Sequence, residues 1–117
     1  MKKTIVLRCS EKELKEVASG KRNVITREIR PNTERRFVSV NDAEEITGII
    51  DYDALILTCD KIGASLTVEI KNVKLWEIEN ESGELIFYDY KGKLHQRIDI
   101  DYTLGAILNK SGNIPNV

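Results

Sequence analysis

Residues 54–78, ALILTCDKIGASLTVEIKNVKLWEI, decide the fold class. Ala54 to Cys59 is a continuous apolar run, too short for a buried helix and bounded by aspartates, so it reads as a central strand. From Ser65 the pattern changes to strict alternation. Leu66, Val68 and Ile70 point to one side, and Thr67, Glu69 and Lys71 to the other, as on a half-buried strand. Val73, Leu75 and Trp76 carry the extended segment on to Ile78, with a bulge expected near Asn72.

Working outward toward the C-terminus, Asn80 to Gly83 is a turn signal and Glu84 to Tyr90 another strand. Lys91-Gly92-Lys93 forms a hairpin turn. Leu94 to Asp101 returns as a strand with Ile98 and Ile100 aligned. Thr103 to Leu108 reads as a final helical turn, and residues 109–117, rich in Asn, Gly and Pro, as a loose tail.

Toward the N-terminus, Asn41 to Gly48 is polar, a turn or short helix. Thr33 to Val40 has two readings: a short helix over Glu34 to Arg36 capped by Thr33, or an extended segment from Arg36. Pro31 ends a strand from Asn23 to Ile29. Before it, Ser10 and Glu13 make a capping box. Leu14, Val17 and Ala18 then form one narrow apolar helix face, and Gly20 stops that helix. Thr4 to Arg8 is a short strand. The sum is about six strands and one or two short helices, joined by short turns. Such an α+β chain is expected to form a small mixed β-barrel with a helix packed against it, as a single domain over residues 1–108.

The 117 residues fit one domain, and 41% hydrophobic with 32% charged residues fits one core inside a solvated surface. No apolar run approaches the roughly 18 residues needed to span a bilayer. The opening MKKTIVLRCS has only Thr4 to Leu7 as an apolar stretch, far short of a secretory signal, so a cytoplasmic location is expected. Cys9 and Cys59, the only cysteines, sit in or beside β-prone runs and read as small buried hydrophobes. Without an export signal a disulfide is not expected. Two isolated cysteines and the single His95 do not supply the four ligands of a zinc site. No cofactor or metal is implied, and no phosphate-binding loop, dinucleotide fingerprint or nucleophile elbow occurs.

The chemistry concentrates elsewhere. Ser19 to Arg36, SGKRNVITREIRPNTERR, holds six basic residues against two acidic ones, while the rest of the chain holds 12 against 17. Five of the six are arginine, the side chain suited to bidentate contact with phosphate or carboxylate. In a chain of net charge −1, such a patch beside a turn points to an anionic ligand. Its competing explanation is a solvated face with arginines paired to Glu28 or Glu34.

The string Gly20-Lys21-Arg22-Asn23-Val24-Ile25-Thr26-Arg27 resembles the G-x-K-x-x-x-x-R mark of the ASCH domains, a family of the PUA-like superfamily. Leu104-Gly105-Ala106-Ile107-Leu108 is similar to that family's closing turn, and the resemblance covers residues 3 to 108. It implies a pseudo-barrel with a cleft lined by the motif, binding RNA or a modified nucleoside, with Gly20, Lys21, Arg22 and Arg27 as the ligand-binding set here, and Arg30, with Arg35 and Arg36, is expected to extend that set along an RNA backbone. Some relatives are amidohydrolases that deacylate N4-acetylcytidine with a motif Lys and Thr and a later Glu. Those positions are Arg22 and Ile25 in this chain. Arg22 does not lose its proton and cannot act as a base. Lys21 and Thr26 lie one place off, on the opposite strand face. Lys21, Thr26 and Glu69 are the catalytic candidates under that reading. Glu69 also reads as an ordinary outward carboxylate beside Lys71.

The leading expectation is an RNA- or nucleotide-binding module, with a small amidohydrolase and a protein-interaction module as alternatives. Trp76, Tyr88, Tyr90 and Tyr102 are the aromatics able to stack on bases. Trp76, in the long strand, reads first as a core residue, and His95 as a solvated side chain after the hairpin turn.

Overall fold

Alternation wins over most of the chain. In the computed structural model, which describes residues 3–114, 56% is strand and 10% helix. The elements are β1 (Thr4–Arg8), α1 (Glu11–Ala18), β2 (Val24–Ile29), a 3-10 turn (Glu34–Arg36), β3 (Val38–Val40), β4 (Ile46–Ile49), β5 (Ala54–Cys59), β6 (Ala64–Glu77), β7 (Phe87–Tyr90), β8 (Lys93–Gln96) and β9 (Ile98–Gly112). Five strands pair in the order β1-β5-β6-β9-β2, and β3-β4 and β7-β8 are separate two-stranded sheets.

The chain divides into two compact units. The first comprises Met1–Ile25, Asp51–Asn72 and Tyr102–Val117, and the second Thr26–Ile50 and Val73–Asp101. In the first, β1 runs parallel to β5 with Ile5 opposite Leu55 and Leu7 opposite Leu57. All four side chains are buried. β5 pairs antiparallel with β6, setting Leu57 opposite Leu66 and Leu55 opposite Val68. Leu14 and Val17 of α1 are buried as well, and the helix packs on β5. Its start is capped as read: the Ser10 hydroxyl accepts from the Glu13 N–H at 3.1 Å. Gly20, with φ +80, turns the chain out of the helix, a left-handed conformation that side chains with a Cβ resist.

The second unit is built from hairpins whose turns have matching chemistry. Tyr90 pairs with Lys93 across Lys91 and Gly92, both at positive φ, the two-residue loop that suits strand twist. Two longer turns repeat one design. Asn41 Oδ1 accepts from the N–H groups of Ala43 and Glu45, and Asn80 Oδ1 from those of Ser82 and Glu84. Each needs a left-handed residue: Gly83 at φ 80 in one, Glu44 at φ 62 in the other. Glu44→Gly is therefore expected to raise the thermal midpoint by a few degrees, since the exposed carboxylate's ion pair contributes little. A midpoint that falls in a calorimetric scan would show the side chain's contacts outweigh the backbone strain.

The α+β barrel read from the sequence is corrected on two points. The sheets do not close, because β1 and β2 remain edges of the five-stranded sheet. Among the described residues there are also nine strands where about six were expected, while α1 and the 3-10 turn match the one or two short helices. Much of the difference lies at residues 103–108. The expected helical turn is extended, and β9 continues through it to Gly112. Ile100, Tyr102 and Leu104 are buried at alternate positions, and that two-residue period overrides the helical composition of the stretch. A Cβ at Gly105 would meet the end of the Glu69 side chain as it lies here, a flexible group able to swing aside. Residues 109–112 of the expected loose tail are the end of β9, and residues 115–117 lie outside the described residues.

Candidate functional site

The arginine-rich segment does not act as one patch of free charge. In the first unit, Arg22 folds back on α1. Its guanidinium lies 2.8 Å from the Glu16 carboxylate and 3.5 Å from that of Glu13, and its backbone N–H donates to the Glu16 carbonyl. Two carboxylates on one helix face thus claim the residue expected to hold phosphate. Gly20 and Lys21 beside it are exposed. In the second unit, the half-buried Arg27 donates to the Thr26 carbonyl at 2.8 Å. Arg30 pairs with Glu28 at 2.8 Å, and its guanidinium carbon lies 4.5 Å from the Tyr88 ring centroid.

Two of the three hydrolase candidates, Thr26 and Glu69, have a partner within their own unit, and the third, Lys21, is exposed. The Thr26 hydroxyl donates to Asp101 at 2.6 Å. Glu69 accepts from the Ala106 N–H at 3.4 Å, with its carboxylate lying over Gly105. That is a structural seat for a strand carboxylate. Asp101, which the sequence reading passed over, is the organising group on this part of the second unit. Its other oxygen takes the Trp76 indole N–H at 2.7 Å. Trp76 is 43% exposed, a correction to its reading as core, and the Lys74 ammonium sits 3.8 Å from its ring centroid. Tyr102 is fully buried and unavailable for stacking.

One concavity lies entirely in the second unit. It has a volume of about 390 Å³, and Ile29, Pro31, Glu44, Tyr88, Lys93 and His95 are among the residues lining it. Strand pairing explains the ring set. Tyr88 is opposite His95 and Tyr90 opposite Lys93, and alternation puts all four side chains on one face of the hairpin. The His95 ring stacks on Tyr88 at 5.9 Å and meets Tyr90 edge-on at 6.0 Å. His95 is thus half-buried among rings, not simply solvated. Counting outward from a two-residue Lys91-Gly92 loop would have found this pairing. The glutamates could not be found so, because Glu34, Glu44 and Glu45 reach the cavity from a different hairpin and the turn before it.

Glu44 bonds to the Lys93 ammonium at 2.7 Å. That hydrogen bond and charge hold its carboxyl below the usual carboxylate range. A lowered folded-state value means the link contributes above the ordinary carboxylate pKa and is lost as pH falls through the lowered one. Burial pushes the Tyr88 phenol up, so it remains a protonated hydrogen-bonding group at neutral pH.

Among the described residues, no group of His, Cys, Asp and Glu side chains could hold a metal ion, and no helix is long and apolar enough to cross a membrane. Comparison with protein-family models, curated proteins and solved structures finds no match.

Proposed function

We propose that this chain is a binding module for a nucleotide-like ligand, and that it holds the base in the cleft of the second unit. The observation that carries this reading is the stacked Tyr88–His95 pair beside a cavity of about 390 Å³. That volume falls within the range of small-molecule sites, about 300–1,000 Å³. Aromatic faces bind any base, at about 1–3 kcal/mol per stacked base. Arg30, above Tyr88, is the member of the arginine-rich segment that reaches this set, and the likeness of Gly20–Arg27 to the ASCH motif supports the same ligand class.

The electrostatics narrow the ligand. Three glutamates line the cavity, and its one lysine is already paired to Glu44. Carboxylates repel phosphate and accept hydrogen bonds from the amino groups of a base. The cleft therefore suits a nucleoside, or the base of an unpaired residue, better than a phosphate backbone. No acyl-transfer step is proposed, because Thr26 and Glu69 are occupied in separate structural bonds.

Saturation-transfer NMR against the four ribonucleosides and their monophosphates tests this. Saturable nucleoside binding is expected, no tighter for the monophosphate, and weakened about tenfold by Tyr88→Ala. Absence of transfer from every nucleoside, or transfer unchanged in Tyr88→Ala, would remove the base-binding reading.

A protein-interaction role has one observation in its favour. Phe87 is 49% and Leu94 70% exposed. The register sets both on the hairpin face opposite Tyr88 and His95, and such apolar exposure is a feature of docking surfaces.

A further inference from the structure

The parallel pairing of β1 and β5 runs in step from Thr4–Ala54 to Arg8–Thr58. The last pair is closed by the bond from the Cys9 N–H to the Thr58 carbonyl at 2.9 Å. One further step in the same register sets Cys59 across from Cys9. The two cysteines of the chain, 50 positions apart in sequence, thus stand side by side. They share a face as well. Ile5 and Leu7 on β1 and Leu55 and Leu57 on β5 are buried at alternate positions, and Cys9 and Cys59 continue that series.

Adjacent strands place such Cα atoms roughly 4.8 Å apart, within the span of about 4.4–6.8 Å that a disulfide bridges. Neither sulfur is in a disulfide here, and Cys59 is buried and Cys9 half-buried. Solvent reaches them through a cavity of about 430 Å³ that Cys9, Ser10, Thr58 and Cys59 help to line. β1 is an edge of its sheet, so one flank of the pair is open.

We propose that Cys9 and Cys59 form a redox-active dithiol that closes to a disulfide when hydrogen peroxide reaches it. Peroxide oxidises the more exposed Cys9 thiol to a sulfenic acid, and the peroxide's other oxygen leaves as water. The Cys59 sulfur then displaces the sulfenic oxygen as a second water and forms the S–S bond. One peroxide takes up two electrons from the two thiols, and both thiol protons end in water. The bond staples the edge strand β1 to β5. A thiol reductant reverses it by exchange. A direct cross-strand bridge in a parallel pair is constrained by the ladder, and constrained disulfides are the readily reduced, regulatory kind.

The test uses the full chain, reduced, freed of reductant and treated with hydrogen peroxide under conditions where circular dichroism shows it folded. The expected result is an intact mass lower by two hydrogens and one cross-linked peptide joining Cys9 to Cys59, both reversed by dithiothreitol. Cys9→Ser, at the half-buried position, should abolish the cross-link and leave Cys59 alkylatable after unfolding. Two thiols still alkylatable after oxidation of the folded chain would overturn the proposal. So would over-oxidation of Cys9 alone, or disulfides only between molecules.

Discussion

Leu57→Ala is expected to lower the unfolding free energy by about 2–5 kcal/mol, toward the upper end of the range for large-to-small core changes. Leu57 is fully buried and stands between Leu7 on β1 and Leu66 on β6 in the pairing register. Ladder hydrogen bonds on both sides hold those neighbours in place. They cannot close over the lost methyls, so the cavity persists. Against a total of about 5–15 kcal/mol for a domain, the variant is expected to be partly unfolded at physiological temperature. Urea titration followed by circular dichroism measures the loss. Leu57→Met, which conserves volume, should cost less than about 1.5 kcal/mol. A loss below about 1 kcal/mol for the alanine variant would mean that β1 can move in to fill the space.

Asp101→Ala is expected to cost about 1–3 kcal/mol, the range for hydrogen bonds to a charged group. One carboxylate oxygen takes the Thr26 hydroxyl at 2.6 Å and the other takes the Trp76 indole at 2.7 Å. Both donors are exposed enough for water to replace the lost acceptor, which pulls the expected value to the lower half. The readout is specific, because Trp76 is the single tryptophan. Its fluorescence should shift in the folded Asp101→Ala protein, while Asp101→Asn, which keeps one carbonyl acceptor, should shift it less. An unchanged spectrum would mean that Lys74, not Asp101, fixes the indole.

Segments whose structure follows from neighbours in sequence were legible. The alternation of residues 65–78 gave β6 nearly residue for residue, the apolar run gave β5, and Ser10 with Gly20 bracketed α1. The Lys91-Gly92-Lys93 turn was legible for the same reason, though Lys93 already opens β8. Features set by distant pairing were not. Nothing local marks β1 as parallel to β5, and that register alone brings Cys9 to Cys59. β9 was cut short because Gly105 and Ala106 weaken a strand signal locally, whereas the alternate burial of Ile100, Tyr102 and Leu104 carries the strand through them.

The candidate site was legible in its residue types and not in its location. The excess of arginine is real, but Glu13, Glu16 and Glu28 take up Arg22 and Arg30. The first two lie outside the charged stretch, so counting within it overstated the free charge. Tyr88 and His95 were each weighed singly, as stacker and as solvated side chain. Their pairing across a turn is what gives them a joint role.

The strand order has a consequence for how the chain is made. β9 lies between β6 and β2 in the five-stranded sheet, yet it leaves the ribosome after both of them. Until it emerges, β2 has no neighbour in that sheet and β6 has only β5. The nascent chain must therefore keep β2 waiting while β3 to β8 are made, with an unpaired edge open to misassembly. Closing so long a loop also slows folding. The charged side chains Arg27 and Glu28, set within β2, then have a use before any ligand is met: they make that waiting strand a poor template for another copy of itself.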